Sequence, residues 1–172
     1  MPPRRKRNAE VRAREYLTDA EIARLIAAAA RNRYGHRDAT MVLVAYRHGL
    51  RSAELVTLRW DAVDFAHGRV HVYCVKSGSE SVHPLSGREL RALRRLKREQ
   101  DPASPFIFTS ERGAPFTPAG YRKMVARLGV AADLESQSAI VHCRPLLAIP
   151  AVASVAPPTE NARLFLPCGS VP

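Results

Sequence analysis

The stretch Ala45-Tyr46-Arg47-His48-Gly49-Leu50-Arg51-Ser52-Ala53-Glu54-Leu55-Val56-Thr57-Leu58-Arg59-Trp60 decides how this chain is read. An apolar run enters Gly49, a residue able to take the left-handed conformation that ends a helix, and Ser52 is suited to cap a new helix directly afterwards. Arg51 is thereby held at a helix–helix corner. A guanidinium fixed beside the unpaired N–H groups of a helix's first turn is a device for holding a phosphate.

Composition supports a polyanionic partner. The 172 residues carry 27 Lys and Arg against 16 Asp and Glu, a formal charge of +11, so nucleic acid is the first candidate. Residues 135–172 contain only Glu135, Arg144, Glu160 and Arg163 as charges, which cancel, and the surplus sits in residues 1–134. The length suits one domain with a real core. Cys74, Cys143 and Cys168 are odd in number and widely spaced, which argues against a disulfide framework or a zinc cage and for a reducing cytoplasm. Neither a metal nor a cofactor is expected. The basic start lacks the apolar segment of a signal peptide, and the apolar run from Leu146 to Ala156 is too short for a membrane span and broken by Pro150. A soluble cytoplasmic protein is expected, with no membrane partner and no small-molecule substrate.

Working outward from the corner, residues 1–15 read as a flexible basic arm carrying Arg4, Arg5, Lys6, Arg7, Arg12 and Arg14. Such an arm can lie along a phosphate backbone or merely solubilise the start of the chain. Thr18 with Glu21 forms a capping box, flanked by Leu17 and Ile22, and Ile22, Leu25, Ile26 and Ala29 line one face of a helix ending near Arg33 to Gly35. A second, largely apolar and central helix is expected from Arg37 to His48, and a third from Ser52 to Arg59. Three short strands follow: Val63–Phe65, Val70–Lys76, whose alternation marks a half-buried strand, and Ser81–Leu85 after the Ser77-Gly78-Ser79 turn. They form an antiparallel sheet with Lys76 at the mouth of a hairpin.

Ser86 with Glu89 is a second capping box, opening a helix to Glu99 with Leu90, Leu93 and Leu96 inward and Arg91, Arg94, Arg95, Lys97 and Arg98 outward. Phe106-Ile107-Phe108 is strand-like. Thr117-Pro118 caps a last helix to Leu128, with Gly129 as its stop. After Leu134 six prolines and the loss of charge and period leave residues 135–172 without an assigned structure.

The order of these motifs resembles the catalytic domain of the tyrosine recombinases, the phage integrase family, over residues 16 to about 134, and its short fimbrial-switch invertase type in particular. The resemblance is carried by Leu17-Thr18-x-x-Glu21 and by Tyr46-Arg47-His48-Gly49-Leu50-Arg51-Ser52-Ala53-Glu54-Leu55, with Leu58-Arg59-Trp60-x-x-Val63-Asp64 after it. Val75-Lys76-Ser77-Gly78, His83-Pro84-Leu85 and Phe106-Ile107-Phe108 complete it. It implies a mixed α+β fold, mainly α-helical with a small three-stranded antiparallel sheet, of the DNA breaking-rejoining type. It also implies double-stranded DNA as partner and a metal-free chemistry in which a tyrosine attacks a phosphodiester and a 5′-hydroxyl leaves.

By that resemblance Arg51 binds the scissile phosphate and stabilises its extra charge, Lys76 protonates the leaving oxygen, and Glu54 orients the active-site side chains. Each has a plainer alternative: a surface arginine, a solvated turn lysine, and a helix-start acid. His83 is structural or DNA-contacting. Arg91, Arg94, Arg95, Lys97 and Arg98 contact DNA or form a solvated face, and Trp60 belongs to the core rather than to a base-stacking platform.

The second half of the family pattern is not found. The tyrosines are Tyr16, Tyr34, Tyr46, Tyr73 and Tyr121, and His142-Cys143-Arg144 has the wrong spacing for a His-x-x-Arg box and runs into Pro145. Residues two apart do not share a helix face. A truncated or frame-shifted member, with foreign sequence after Leu134, poor stability and no cleavage on its own, is therefore expected. The competing readings are a non-cleaving DNA-binding module that joins intact recombinase protomers, and a general nucleic-acid binder.

Overall fold

The structure, a computed structural model, describes residues 17–74, 78–100 and 104–134. The arm, the tail beyond Leu134 and the hairpin tip with Lys76 lie outside the described residues, and with them the expectations placed there. Helix α1 (Asp19–Ala30) opens on Thr18, whose Oγ1 accepts the Glu21 N–H at 3.3 Å while Glu21 Oε2 accepts the Thr18 N–H at 2.7 Å. Such a cap contributes about 1 kcal/mol. Ile22, Leu25, Ala28 and Ala29 are its buried face.

Helix α2 (Gly35–His48) starts two residues before the expected Arg37, because the tight turn from α1 is set by close packing rather than by a side-chain cap. A Cβ at position 35 would lie 2.2 Å from the Ala30 carbonyl oxygen, so only glycine fits. From Thr40 to Ala45 every residue of α2 is buried, which makes it the central helix. It ends as expected at Gly49, φ 62°, with the Leu50 N–H donating to the Ala45 carbonyl at 3.0 Å and the Gly49 N–H to Tyr46 at 3.4 Å, a Schellman closure.

Helix α3 (Ser52–Val56) differs from expectation at both ends. Arg51, extended at φ −70° and ψ 155°, is the capping residue, and Ser52 is the first helical one. The expected continuation to Arg59 is lost to tertiary pairing: Ile107 N–H donates to the Leu58 carbonyl at 2.9 Å and Trp60 N–H to that of Pro105 at 3.0 Å. A single 3₁₀ turn (Trp60–Ala62) follows. The Phe106–Phe108 piece forms an isolated bridge from Phe106 to Arg59 rather than a full strand, and it plugs Ile107 and Phe108 into the core.

Strands β1 (Val63–Asp64), β2 (Arg69–Cys74) and β3 (Ser79–Pro84) form an antiparallel sheet in that order, with Val70 opposite Val63 on one side and His83 on the other. Val70 and Val72 face the core, while His71 and Tyr73 are exposed, the alternation expected of a half-buried strand. β3 begins two residues earlier than the sequence suggests. Helix α4 (Gly87–Glu99) buries Leu93 and Leu96 and crosses α2, with the Ala92 carbonyl 3.0 Å from His36 Nε2. Helix α5 (Pro118–Ala131) packs on α1 and α3. It passes through Gly129, which is buried inside the helix rather than stopping it. The left-handed residue after it is Asp133, φ 52°, a type that tolerates this region.

Among the described residues no helix is long and apolar enough to cross a membrane.

Candidate phosphate-binding site at the Arg51 corner

Four chain segments meet where α2 ends: the α2 terminus at His48, the α3 start at Arg51, the end of β3 at His83, and the α4 start at Ser86 and Glu89. The Schellman closure turns the chain through Gly49 and Leu50, and Leu50 is buried beneath it. Arg51 follows immediately, so its backbone has little freedom to move relative to α2.

Glu54 fixes the side chain. Its Oε2 accepts the Arg51 N–H at 2.8 Å and its Oε1 accepts from Arg51 Nη1 at 2.8 Å. The Glu54 side chain is 3 % exposed and that of Arg51 is 53 % exposed, so a buried carboxylate orients a guanidinium that still faces solvent. A bidentate-capable cation held this way is pre-organised for a phosphate oxygen, at low entropic cost on binding. The structure thus brings together Arg51 and Glu54, the pair singled out in the sequence.

Glu89 repeats the arrangement on α4. Oε2 accepts the Ser86 N–H at 2.8 Å and the Ser86 hydroxyl at 2.7 Å, while Oε1 lies 2.8 Å from His48 Nε2, off the line of an ideal N–H···O bond. Both side chains are buried, at 0 % and 1 % exposure. Burial alone would raise the Glu89 carboxyl; the approach of His48 and the Ser86 hydrogen bonds outweigh it, and the group sits below its ordinary value. Arg47 adds a cation 3.9 Å from Oε2.

The sequence motif contained His48 without a role and read Glu89 only as a cap. The available signal was a lone histidine at the end of an otherwise apolar helix, but its partner is 41 positions away (89 minus 48), and nothing local names it.

His83 stands edge-on to His48, ring centroids 5.3 Å apart, and its Nε2 is 2.9 Å from Ser81 Oγ. Burial first, and the neighbouring His48 second, hold its imidazole below the usual histidine range. His83 is therefore part of the corner, half-buried rather than on a separate surface. Lys76 lies outside the described residues, two positions before the turn at Gly78 that leads into β3.

The basic helix α4 divides into two sets. Arg94 donates from Nη2 to the Phe65 carbonyl at 3.2 Å and lies over the Phe65 ring, and Lys97 Nζ lies 5.6 Å and 5.4 Å from the Trp60 and Phe65 ring centroids. Arg95 pairs with Glu99 at 2.6 Å. Arg91 and Arg98 are exposed, seven residues apart and so on one helix face. Trp60 is partly buried and stacked on Phe65 at 6.4 Å, in keeping with its reading as a core residue.

Residues 15–145 match the phage integrase family. The chain belongs to the phage integrase family. The fimbriae regulatory protein FimE of Escherichia coli K12 is 31 % identical over 130 residues, covering 73 % of this chain and 66 % of FimE. The crystal structure of XerA recombinase superimposes with a TM-score of 0.62 at 25 % identity, over 74 % of this chain and 47 % of XerA. The lambda integrase fragment bound to DNA gives 0.59 at 19 % identity, over 74 % and 48 %, a likeness of fold. This phage integrase family member thus spans about two thirds of the length of FimE and under half of each solved chain. Its mainly helical fold with a three-stranded antiparallel sheet is that of tyrosine recombinase catalytic domains, as the motif order implied.

Proposed function

We propose that this chain is a DNA-binding protein of site-specific recombination whose Arg51 corner grips a backbone phosphate. The observation that carries the reading is the Arg51–Glu54 pair: a half-exposed guanidinium locked by a buried carboxylate at a helix start, in a family whose chemistry acts on phosphodiesters. In this role Arg51 offsets the charge on the non-bridging oxygens and Glu54 holds it in place. Lys76, on the hairpin, donates the proton to the leaving 5′-oxygen. His83, Arg91, Arg94, Arg95, Lys97 and Arg98 add contacts to the duplex, with Arg91 and Arg98 best presented. The bound nucleic acid is double-stranded DNA, and the protein acts in solution in the cytoplasm.

Strand cleavage further requires a second arginine and a nucleophilic tyrosine. Within residues 52–172 no second His-x-x-Arg box follows the Arg51 corner, and no tyrosine follows Tyr121; these residues by themselves supply a grip without a cut, alone or beside intact recombinase protomers. The test is a nicked suicide substrate carrying a recombination site. Salt-sensitive binding without a covalent adduct is expected. A protein–DNA adduct overturns the non-cutting reading, and preference for structured RNA over duplex overturns the assignment to recombination.

A further inference from the structure

The corner contains one device used twice. Glu54 and Glu89 each stand at the third position of a helix, each accept the backbone N–H of the capping residue on Oε2, and each turn Oε1 toward a basic side chain at 2.8 Å. Glu54 orients Arg51 directly. Glu89 engages His48, three residues before Arg51 and joined to it by the left-handed Gly49 and the buried Leu50.

From this geometry we infer that Glu89 is a positioning residue for the phosphate grip: by fixing His48 it locks the end of α2, and through it Arg51, against the starts of α4 and β3's last turn. The inference rests on the reading of Arg51 as that grip. Packing stability does not account for the arrangement. A buried histidine–carboxylate pair exchanged for apolar residues of similar volume is often neutral or stabilising. Here His48 Nδ1 is also buried without a hydrogen-bond partner among the described residues, a cost an apolar side chain would avoid. What the pair supplies is a fixed orientation at the junction of four segments. The charged and titratable groups facing it are Arg47 at 3.9 Å from Glu89 and His83 at 5.3 Å from His48.

The experiment measures binding of the full chain to a fluorescein-labelled duplex by anisotropy, alongside the thermal midpoint, for Arg51→Ala, Glu89→Gln, Ser86→Ala and the Arg51→Ala/Glu89→Gln double variant. Glu89→Gln is expected to weaken binding about tenfold, the scale seen when the group orienting a ligand-holding side chain is removed. The double variant should bind no worse than Arg51→Ala. Ser86→Ala, which disturbs the cap and leaves the His48 contact, should lower the midpoint and keep the affinity. Folded Glu89→Gln binding as tightly as the unaltered chain overturns the inference, and so does a full further loss in the double variant. If Arg51→Ala itself binds normally, the grip reading fails first and the inference with it. Should Glu89→Gln not fold, His48→Gln examines the same link: a similar weakening supports it, and unchanged affinity overturns it.

Discussion

The two ends of α2 both carry an arginine held by a carboxylate, and they hold it for opposite uses. At the start, Arg37 donates from Nε and Nη2 to Asp38 Oδ1 at 2.9 and 2.8 Å and from Nη1 to the Thr109 carbonyl at 2.9 Å, between the rings of Tyr34 and Phe116. Its side chain is 14 % exposed. At the far end, about 20 Å away along a helix of 14 residues, Arg51 is held by Glu54 and half-exposed. The first guanidinium is committed to joining the 109–116 loop to the helix; the second is oriented but presented outward. The difference lies in what surrounds the cation, since the residue type and the anchoring carboxylate are the same in kind.

The most damaging way to probe that contrast is Arg37→Ala. Removing one partner of a buried pair typically costs about 3–5 kcal/mol, with the lower end expected because Asn32 still donates to Asp38. Denaturant unfolding should show the loss, and the affinity of the folded fraction for duplex DNA should stay unchanged. Weakened binding per folded molecule would erase the distinction between the two ends.

Arg51→Ala should do the reverse. Binding falls tenfold or more, on the order of 1.4 kcal/mol, while stability falls by only about 1–3 kcal/mol, because the buried Glu54 carboxylate loses the guanidinium but keeps the backbone N–H of residue 51. Anisotropy and denaturant titration on the same preparation separate the two effects.

The α4 cations sharpen the contrast further. Arg91→Ala with Arg98→Ala should reduce the slope of log affinity against log salt by about one per residue. Arg94→Ala with Lys97→Ala should change the slope less and instead lower stability, since these groups lie over Phe65 and Trp60, where a cation–ring contact contributes about 0.5–1 kcal/mol each.

The smallest expected effect is on pH. His83 is held below its ordinary value of 6.5, so the unfolded chain binds that proton first as the solution is acidified. Stability present above 6.5 is therefore lost as pH falls from there through the depressed folded value. Glu89, also lowered, adds a second loss that begins below its ordinary 4.5 and continues through its folded value. Thermal midpoints measured down this range should decline in two steps, and His83→Gln should remove the upper one.

Much of the fold was legible because its signals are local. The Thr18/Glu21 and Ser86/Glu89 boxes, the glycine ending α2 and the alternation of Val70 to Tyr73 each depend on residues within one turn or one strand, and each forms where expected. The length of α3 was not legible: a helix was expected to run on to Arg59, but the 105–107 segment competes for the backbone groups of Leu58 and Trp60 and wins. Gly129 misled for a related reason. Glycine favours a helix end when exposed, yet in a buried face it is tolerated for its small size.

The sequence by itself determined the charge, the order of elements and the corner that positions Arg51, because caps, left-handed glycine and apolar period act over a few residues. Only the tertiary structure decided which charged groups are committed and which are presented. It drew Glu89 onto His48, set His83 edge-on beside them, and laid Arg94 and Lys97 over aromatic rings. Those outcomes depend on burial and on partners distant in the chain, and burial is a property of the packed molecule that no local pattern contains.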